Sequence, residues 1–281
     1  MKTNVDVSSW FSSVQVSLPP SAVALVLAGG KGSRLKAAAD PELRGTPKVL
    51  VPIKRPGGTT TMLGHALNEL AGTGFRRVSL LTSSDPEAGG PAVEAYAQAQ
   101  FGSTFELHIY REGYPLGTAG AAFAALRHLE SEVAVIIPAD TLFPFSLLPS
   151  AVASHRADGS AVTWVVTTSP GLHAQNTGRI LLDATAPRIR HALEGVVAVP
   201  PADVRHRLRG ATSAGVVIVR PGEFCELFEQ YARRLAEPCA TDLYREFIPW
   251  MVSRAVPVGA FDIGQAAPDL GTPDRLRAFG R

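Results

Sequence analysis

The sequence predicts an α/β fold, a mostly parallel sheet flanked by helices with a small β lobe appended. Three observations carry the prediction. Residues 22–110 alternate apolar runs with amphipathic stretches in the order βαβαβ, which implies parallel strands joined by right-handed crossovers. The first run, residues 22–27, passes without a break into Gly29, Gly30 and Gly32, as a buried strand does on entering an anion-binding turn. Beyond about residue 150 the strand-like pieces become short and closely spaced, at residues 161–168, 178–182, 188–193 and 196–199, and these form the expected lobe.

Composition sets limits. A chain of 281 residues, 46% of them hydrophobic, can bury one large core, or a core with a lobe folded onto it. Residues 1–20 carry Lys2, Asp6 and two prolines. They are expected to be an extension packed on the domain or on a partner subunit of a homo-oligomer. Residues 21–281 are expected to form one domain, with 21–150 and 151–281 as its two parts. The formal net charge is +2 with no basic stripe, so no nucleic-acid partner is expected. No uncharged apolar run is long enough to span a bilayer, and no targeting segment is evident. Cys225 and Cys239 show neither CxxC spacing nor a cysteine–histidine cluster. That argues against a zinc site or a disulfide and makes a reducing cytoplasm the expected setting.

The glycine turn carries the first chemistry. It reads Leu27-Ala28-Gly29-Gly30-Lys31-Gly32-Ser33-Arg34-Leu35. Glycine lets backbone N–H groups approach an anion closely, and Arg34 adds a planar fork of donors suited to phosphate oxygens. Lys31 precedes Gly32, and Leu35 stands where a dinucleotide fingerprint needs its third glycine, so neither of the best-known nucleotide loops fits. Thr46-Pro47-Lys48 then precedes an apolar run over residues 49–53. Lys48 is a second cation soon after the glycine turn.

The following elements are read in order. Residues 61–71 have helical spacing, 75–82 read as the second strand, 91–101 as a short helix and 104–110 as the third strand. His65 and His108 have no ligand-spaced partner and are read as structural. Glu112-Gly113-Tyr114-Pro115-Leu116-Gly117-Thr118-Ala119-Gly120-Ala121 opens a small-residue helix over 119–129, against whose backbone a flat base can lie. Residues 133–137 form the fourth strand and end at Asp140, beyond the carboxyl end of a parallel strand, where open α/β sheets bind ligands. A carboxylate there suits Mg²⁺, which takes one or two carboxylates plus substrate phosphates. A helix over 145–155, helices over 223–235 and 243–253 and a strand over 255–261 complete the prediction. Two aspartates follow, Asp262 and Asp269. Asp269 is preferred because Gly271-Thr272-Pro273-Asp274 and a helix start come after it.

Four blocks then fall in one order: L-A-G-G-x-G-S-R-L, P-K-V-L-V-P, P-L-G-T-A-G-A and D-L-G-T-P. Together with Asp140 they resemble the signatures of the sugar-1-phosphate nucleotidyltransferases, the NDP-sugar pyrophosphorylases that include GDP-mannose and heptose-1-phosphate guanylyltransferases. The resemblance implies a Rossmann-like sheet with an acceptor-binding β lobe. It implies in-line attack of a sugar 1-phosphate on the α-phosphorus of an NTP, giving NDP-sugar and pyrophosphate. Arg34, Lys48 and Asp140 would be catalytic, and Asp140 and Asp269 would hold Mg²⁺. Leu27, Ala28, Gly29, Gly30, Gly32, Ser33, Glu112, Pro115, Gly117 and Thr118 would bind the nucleotide. Gly178, Glu194, Ser213 and Arg190 would meet the acceptor. Two positions depart from the pattern: Gly195 replaces the family's lysine after Glu194, and Ser213 replaces an asparagine. Arg188, Arg190 or His191 would then supply the missing positive charge. Glu112 can accept from the N1–H and 2-amino group of guanine, so GTP is the expected nucleotide. The expected acceptor is a mannose- or heptose-type sugar 1-phosphate, or a cyclitol phosphate. A UTP- or ATP-dependent enzyme, a transferase acting on a non-sugar, and a non-catalytic nucleotide-sugar-binding protein stay open as alternatives.

Overall fold

β1 (Val23–Leu27) takes the centre of the sheet because both of its faces are apolar. Val23 and Leu25 enter one hydrophobic layer and Ala24 and Val26 the other, all buried. This is the period-2 alternation of a strand covered by helices on both sides. The computed structural model describes residues 17–36, 45–169, 179–193, 207–235, 237 and 239–280. In chain order its elements are β1, α1 (Ser33–Lys36), a 3₁₀ turn at Lys48–Leu50, β2 (Pro52–Arg55), β3 (Gly58–Thr61), α2 (Met62–Gly72), β4 (Arg77–Ser83), α3 (Gly90–Phe101), β5 (Glu106–Glu112), α4 (Gly117–Leu126), β6 (Ala134–Pro138), α5 (Leu148–Asp158), β7 (Val162–Thr167), β8 (Arg179–Asp183), β9 (Ile189–Leu193), β10 (Leu208–Val219), α6 (Pro221–Ala232), α7 (Ile248–Ser253), β11 (Val258–Asp262) and α8 (Pro273–Phe279).

The main sheet runs β11-β7-β10-β6-β1-β4-β5. β1 pairs parallel with β4 and β6, β4 with β5, and β7 with β11. Only β10 runs against its neighbours, β6 and β7. The sheet is therefore mostly parallel, as expected. The expected β lobe is the β8–β9 hairpin laid on the first half of β10. The strand expected at residues 196–199 lies outside the described residues.

The apolar run at residues 49–53 is a 3₁₀ turn followed by the β2–β3 hairpin, closed at Gly57 and Gly58, both at positive φ. One element differs from expectation: the helix expected over 243–253 is divided. A wide turn at Leu243–Phe247, capped by Asp242 accepting from the Tyr244 and Arg245 amides, precedes α7. Pro249 lies in the first turn of α7 and has no N–H to continue a regular ladder.

α2, α3 and α5 cover one face of the sheet; α4, α6 and α7 cover the other. A third, smaller cluster gathers Leu35, Val51, Ile53, Met62, Leu270 and Leu276. It clamps together the glycine turn, the hairpin and the C-terminal helix, and so fixes the segments around the carboxyl ends of β1 and β6.

One buried titratable group lies in the core away from this edge. His155 has no exposed surface; its Nδ1 is 2.8 Å from Thr163 Oγ1, and its Nε2 has no partner. Burial, reinforced by Arg220 and opposed by Asp158, pushes its pKa from 6.5 down to about 4. The unfolded chain therefore binds more protons between these values, and stability falls as pH drops through that window. The expected loss is on the order of 3 kcal/mol. Urea midpoints measured from pH 7 to 4 should fall more steeply for the native chain than for His155→Gln; equal slopes would show that the histidine is not held neutral.

Candidate active site

The glycine turn is shaped by what it touches. A Cβ on Gly29 would lie 3.2 Å from the Thr82 carbonyl carbon and 3.3 Å from the Ser83 nitrogen, so glycine lets the turn press on the end of β4. Gly30 faces open space. Gly32 has φ +66°, and a Cβ there would come within 2.8 Å of Lys48 Cβ. It is needed both for its left-handed backbone and for the approach of Lys48. Lys31 pairs with Asp85 at 2.7 Å. Ser33 starts α1, which presents Arg34 exposed.

Asp140 follows β6. Its carbonyl accepts the Leu270 amide at 2.7 Å, and the Leu142 amide donates to the Pro268 carbonyl at 2.9 Å. Thr141 and Asp269 thus form a bridge across a long sequence gap. The result is a convergence. A Cβ built on Gly271 would lie 2.9 Å from Asp269 Oδ1, 3.0 Å from Lys48 Nζ and 3.3 Å from Asp140 Oδ2. Three charged groups from three segments surround one point that only glycine leaves open.

The charges are paired there. Lys48 Nζ bonds Asp140 Oδ2, Arg275 Nη1 bonds Asp269 Oδ2, and Asp269 Oδ1 accepts the Gly271 amide at 2.9 Å. Burial raises the pKa of Asp140, but the charge and hydrogen bond of Lys48, helped by Arg34, outweigh it and hold the carboxyl below its usual range. Burial lowers the pKa of Arg275, and Arg34 adds to this, against the pull of Asp140. Arg34 therefore belongs to the same electrostatic cluster. Among the described residues no group of three or more His, Cys, Asp or Glu side chains assembles a complete metal cage. Two aspartates facing one point still fit a Mg²⁺ whose remaining ligands are substrate oxygens.

Asp262, the other aspartate, is committed elsewhere. It accepts from the Thr168 amide at 3.1 Å, from the Thr168 hydroxyl and from the Gly264 amide at 2.9 Å, joining the ends of β7 and β11.

Glu112 ends β5 in register with Ser83, the residue beneath Gly29. Burial raises its pKa, against hydrogen bonds from the Leu116 amide (3.2 Å) and Ser83. Gly117, at φ +73°, packs so tightly on the Thr241 backbone that a Cβ would collide with it. The Ala119 amide donates to Thr241 O at 3.0 Å, Thr241 N to Leu116 O at 2.8 Å, and Leu243 N to the Thr118 hydroxyl at 2.7 Å. Gly117 and Thr118 therefore anchor the 239–243 segment. Pro115 stands in the turn between Glu112 and α4.

Ser213 lies where the β10–β7 register shifts, and its hydroxyl accepts from Trp164 Nε1 at 2.9 Å and from the Gly215 amide at 3.0 Å. Tyr244 donates to Gly215 O at 2.6 Å, and a Cβ on Gly215 (φ +79°) would be 3.0 Å from Thr141 Oγ1. This serine–tyrosine–tryptophan group thus adjoins the Asp140 turn. Gly178 and Glu194 lie outside the described residues.

Arg190 is not brought to the cluster. Its guanidinium bonds Asp183, which pairs with Leu208 at the end of β8 away from Ser213. Arg188 is bound to Asp158 and Ser160. Gly195, where the family's lysine is lost, lies outside the described residues. Sequence reasoning missed Arg275, Trp164, Tyr244 and Thr241. Only Arg275 carried a local signal, as a cation in the first turn of the helix that Asp269 precedes.

The fold is that of an α/β NTP transferase domain. Residues 24–242 match the MobA-like NTP transferase domain, and the chain belongs to that family. It is similar to the glucose-1-phosphate adenylyltransferase of Rhodospirillum rubrum, 28% identical over 275 residues that cover 90% of this chain and 62% of the relative. It is also similar to that of Rhodopseudomonas palustris, 24% identical over 262 residues, with coverages of 89% and 59%. The chain thus spans about six-tenths of the length of these curated relatives. Among solved structures it shares its fold with the inositol-1-phosphate CTP transferase of T. maritima (TM-score 0.68, 20% identity, 90% of this chain and 91% of the other). The fold is also that of HddC from Yersinia pseudotuberculosis (0.67, 18%, 92% and 97%) and of a Bacillus anthracis chain described as a glucose-1-phosphate thymidylyltransferase (0.69, 18%, 92% and 93%). No helix among the described residues is long and apolar enough to cross a membrane.

Proposed function

We propose that this chain joins an NTP to a sugar 1-phosphate or cyclitol phosphate, giving the NDP-sugar or its cyclitol counterpart and pyrophosphate. The observation that carries the reading is the meeting of Lys48, Asp140 and Asp269 around Gly271, beside the glycine turn. The reaction needs no covalent intermediate, so the protein's work is positioning and charge stabilisation. The glycine turn cradles the triphosphate, with Ser33 at its end. Arg34 and Lys48 neutralise it. A divalent cation bound to Asp140 and Asp269 would offset the charge that develops at the α-phosphate. Residues 21–150 serve the nucleotide in this reading. The part from 151 onwards serves the acceptor, with Ser213 as its contact nearest the Asp140 turn.

For the nucleotide, GTP remains our choice. Support comes from Glu112, a half-buried carboxylate at the mouth of β5 with lone pairs left beyond its bonds to Leu116 and Ser83. For the acceptor, a mannose- or heptose-type sugar 1-phosphate or a cyclitol phosphate remains our choice. Its support is the absence of a lysine at Gly195. Relatives and neighbours are described with adenylyl, CTP and thymidylyl chemistry, and HddC has been crystallised with GMP-PN, so the family spans several bases. The test is pyrophosphate release with all four NTPs against glucose, mannose, heptose and cyclitol phosphates. Preference for UTP or ATP with glucose 1-phosphate would refute both choices, and no release with any pair would refute the activity. Within an active protein, Glu112→Gln should lower kcat/KM for GTP by about tenfold or more while leaving other NTPs little changed. Equal losses for every base would make Glu112 a loop-holding residue only.

A further inference from the structure

A cavity of about 420 Å³ lies where the β2–β3 hairpin meets α2 and α3, lined chiefly by Thr60, Thr61, Asn68, Tyr96, Gln100 and Phe101. That volume is within the range of small-molecule pockets. It is not the site described above. Pro52 lines the cavity, while Ile53, the next residue of β2, packs with Leu270 and Leu276 in the small hydrophobic cluster. Successive strand residues face opposite sides, so the hairpin separates the cavity from Asp269. Among the described residues, every side chain that lines it is a hydroxyl, an amide or apolar, and none is charged. A Cβ on Gly64 would lie 2.7 Å from Thr60 Oγ1 and 3.0 Å from Thr61 Oγ1, and would collide with the Tyr96 hydroxyl. Glycine, a poor helix former, thus stands in the first turn of α2 where three hydroxyls gather. Thr61 Oγ1 accepts the Gly64 amide at 2.8 Å. The Thr60 and Tyr96 hydroxyls have no hydrogen-bond partner among the described residues. Asn68 and Gln100 are exposed, and each amide both donates and accepts. The Tyr96 and Phe101 rings, 6.4 Å apart and tilted by 55°, add flat apolar surface.

We propose that this cavity is a second binding site, for an uncharged polyol of ring size: a sugar or cyclitol without phosphate. Such a molecule carries hydroxyls around its edge and C–H groups on its faces. The hydroxyls match Thr60, Tyr96, Asn68 and Gln100, and the faces match the two rings. A phosphorylated ligand would bring its charge to a place with no lining cation. A purely apolar ligand would strip water from the Thr60 and Tyr96 hydroxyls and leave them unpaired, which is costly. The inference does not depend on the reaction proposed above.

The probes are methyl glucoside, methyl mannoside and myo-inositol, each titrated into the isotope-labelled full chain and followed by amide NMR shifts. At least one should move the amides of Thr60, Asn68, Tyr96 and Gln100 in a saturable way. Reading the affinity from those amides keeps it apart from any binding at the acceptor site. Thr60→Val combined with Tyr96→Phe removes two hydroxyls and keeps the shape of both side chains. It should weaken that binding about tenfold at an unchanged melting temperature. If the double variant does not fold, Gln100→Ala, at an exposed position of α3, should weaken it about threefold or more. No shift at these amides with any of the three probes would overturn the proposal. So would an affinity that the double variant, or its substitute, leaves unchanged.

Discussion

Asp140→Asn is expected to lower kcat by about three orders of magnitude, close to 4 kcal/mol of lost transition-state stabilisation, while the protein stays folded. Asp269→Asn should follow closely, and Asp262→Asn should turn over near normally. The reason is geometric. Asp140 and Asp269 are stitched together by the Leu270 and Leu142 amides and face one point beside Gly271. Asp262 has its oxygens taken by Thr168 and Gly264. Asparagine keeps size and shape at Asp140 and removes the charge that in the proposed reaction would bind a cation, so melting temperature and circular dichroism serve as controls. Steady-state turnover at saturating Mg²⁺ decides the matter. Near-normal rates for both Asp140→Asn and Asp269→Asn would sink the assignment, and inactivity confined to Asp262→Asn would transfer the second ligand to that residue.

Lys48→Ala and Arg34→Ala are each expected to cost roughly two orders of magnitude in kcat/KM, since in the proposed reaction each cation would act where charge accumulates on the phosphates. Lys48 stands over Gly32 with its stem in contact and its ammonium at the point shared with both aspartates. Arg34 is exposed on α1 and free to close on an incoming triphosphate. The two losses should combine less than additively if both cations grip the same phosphates. Gly32→Ala provides a separate check, because it strains a left-handed backbone and pushes on the Lys48 stem at once. It should reproduce much of the Lys48→Ala defect without removing any charge. Unchanged kinetics for Lys48→Ala would reduce Lys48 to a structural partner of Asp140.

Much of this was legible locally. A strand such as β1 announces itself by an apolar run ending in glycines. Amphipathic spacing and the βαβ order are enough to imply a parallel sheet. The short blocks around Gly29, Lys48, Gly117, Asp140 and Asp269 suggested their chemistry through their joint resemblance to one family, in one order, rather than through residue types alone. The preference for Asp269 over Asp262 also rested on a few neighbouring residues. The β2–β3 hairpin carried a local signal in Pro56-Gly57-Gly58 that the reading of its apolar lead-in left unused.

What local pattern cannot express is pairing between distant segments. Nothing in the run of residues 208–219 says that β10 lies antiparallel between β6 and β7, because its direction is set by the connections and layers around it. The same holds for Arg190, whose charge suggested an acceptor contact until the β8–β10 register carried it away from Ser213. It holds for Gly117 and Thr118 too, which meet Thr241 and Leu243 more than a hundred residues on. The sequence by itself determined which residue types and local turns this protein has to work with. Only the tertiary structure decided that Asp140, Asp269, Lys48 and Arg275 share one place, because that meeting depends on backbone hydrogen bonds and a small hydrophobic cluster joining segments that have no local reason to touch.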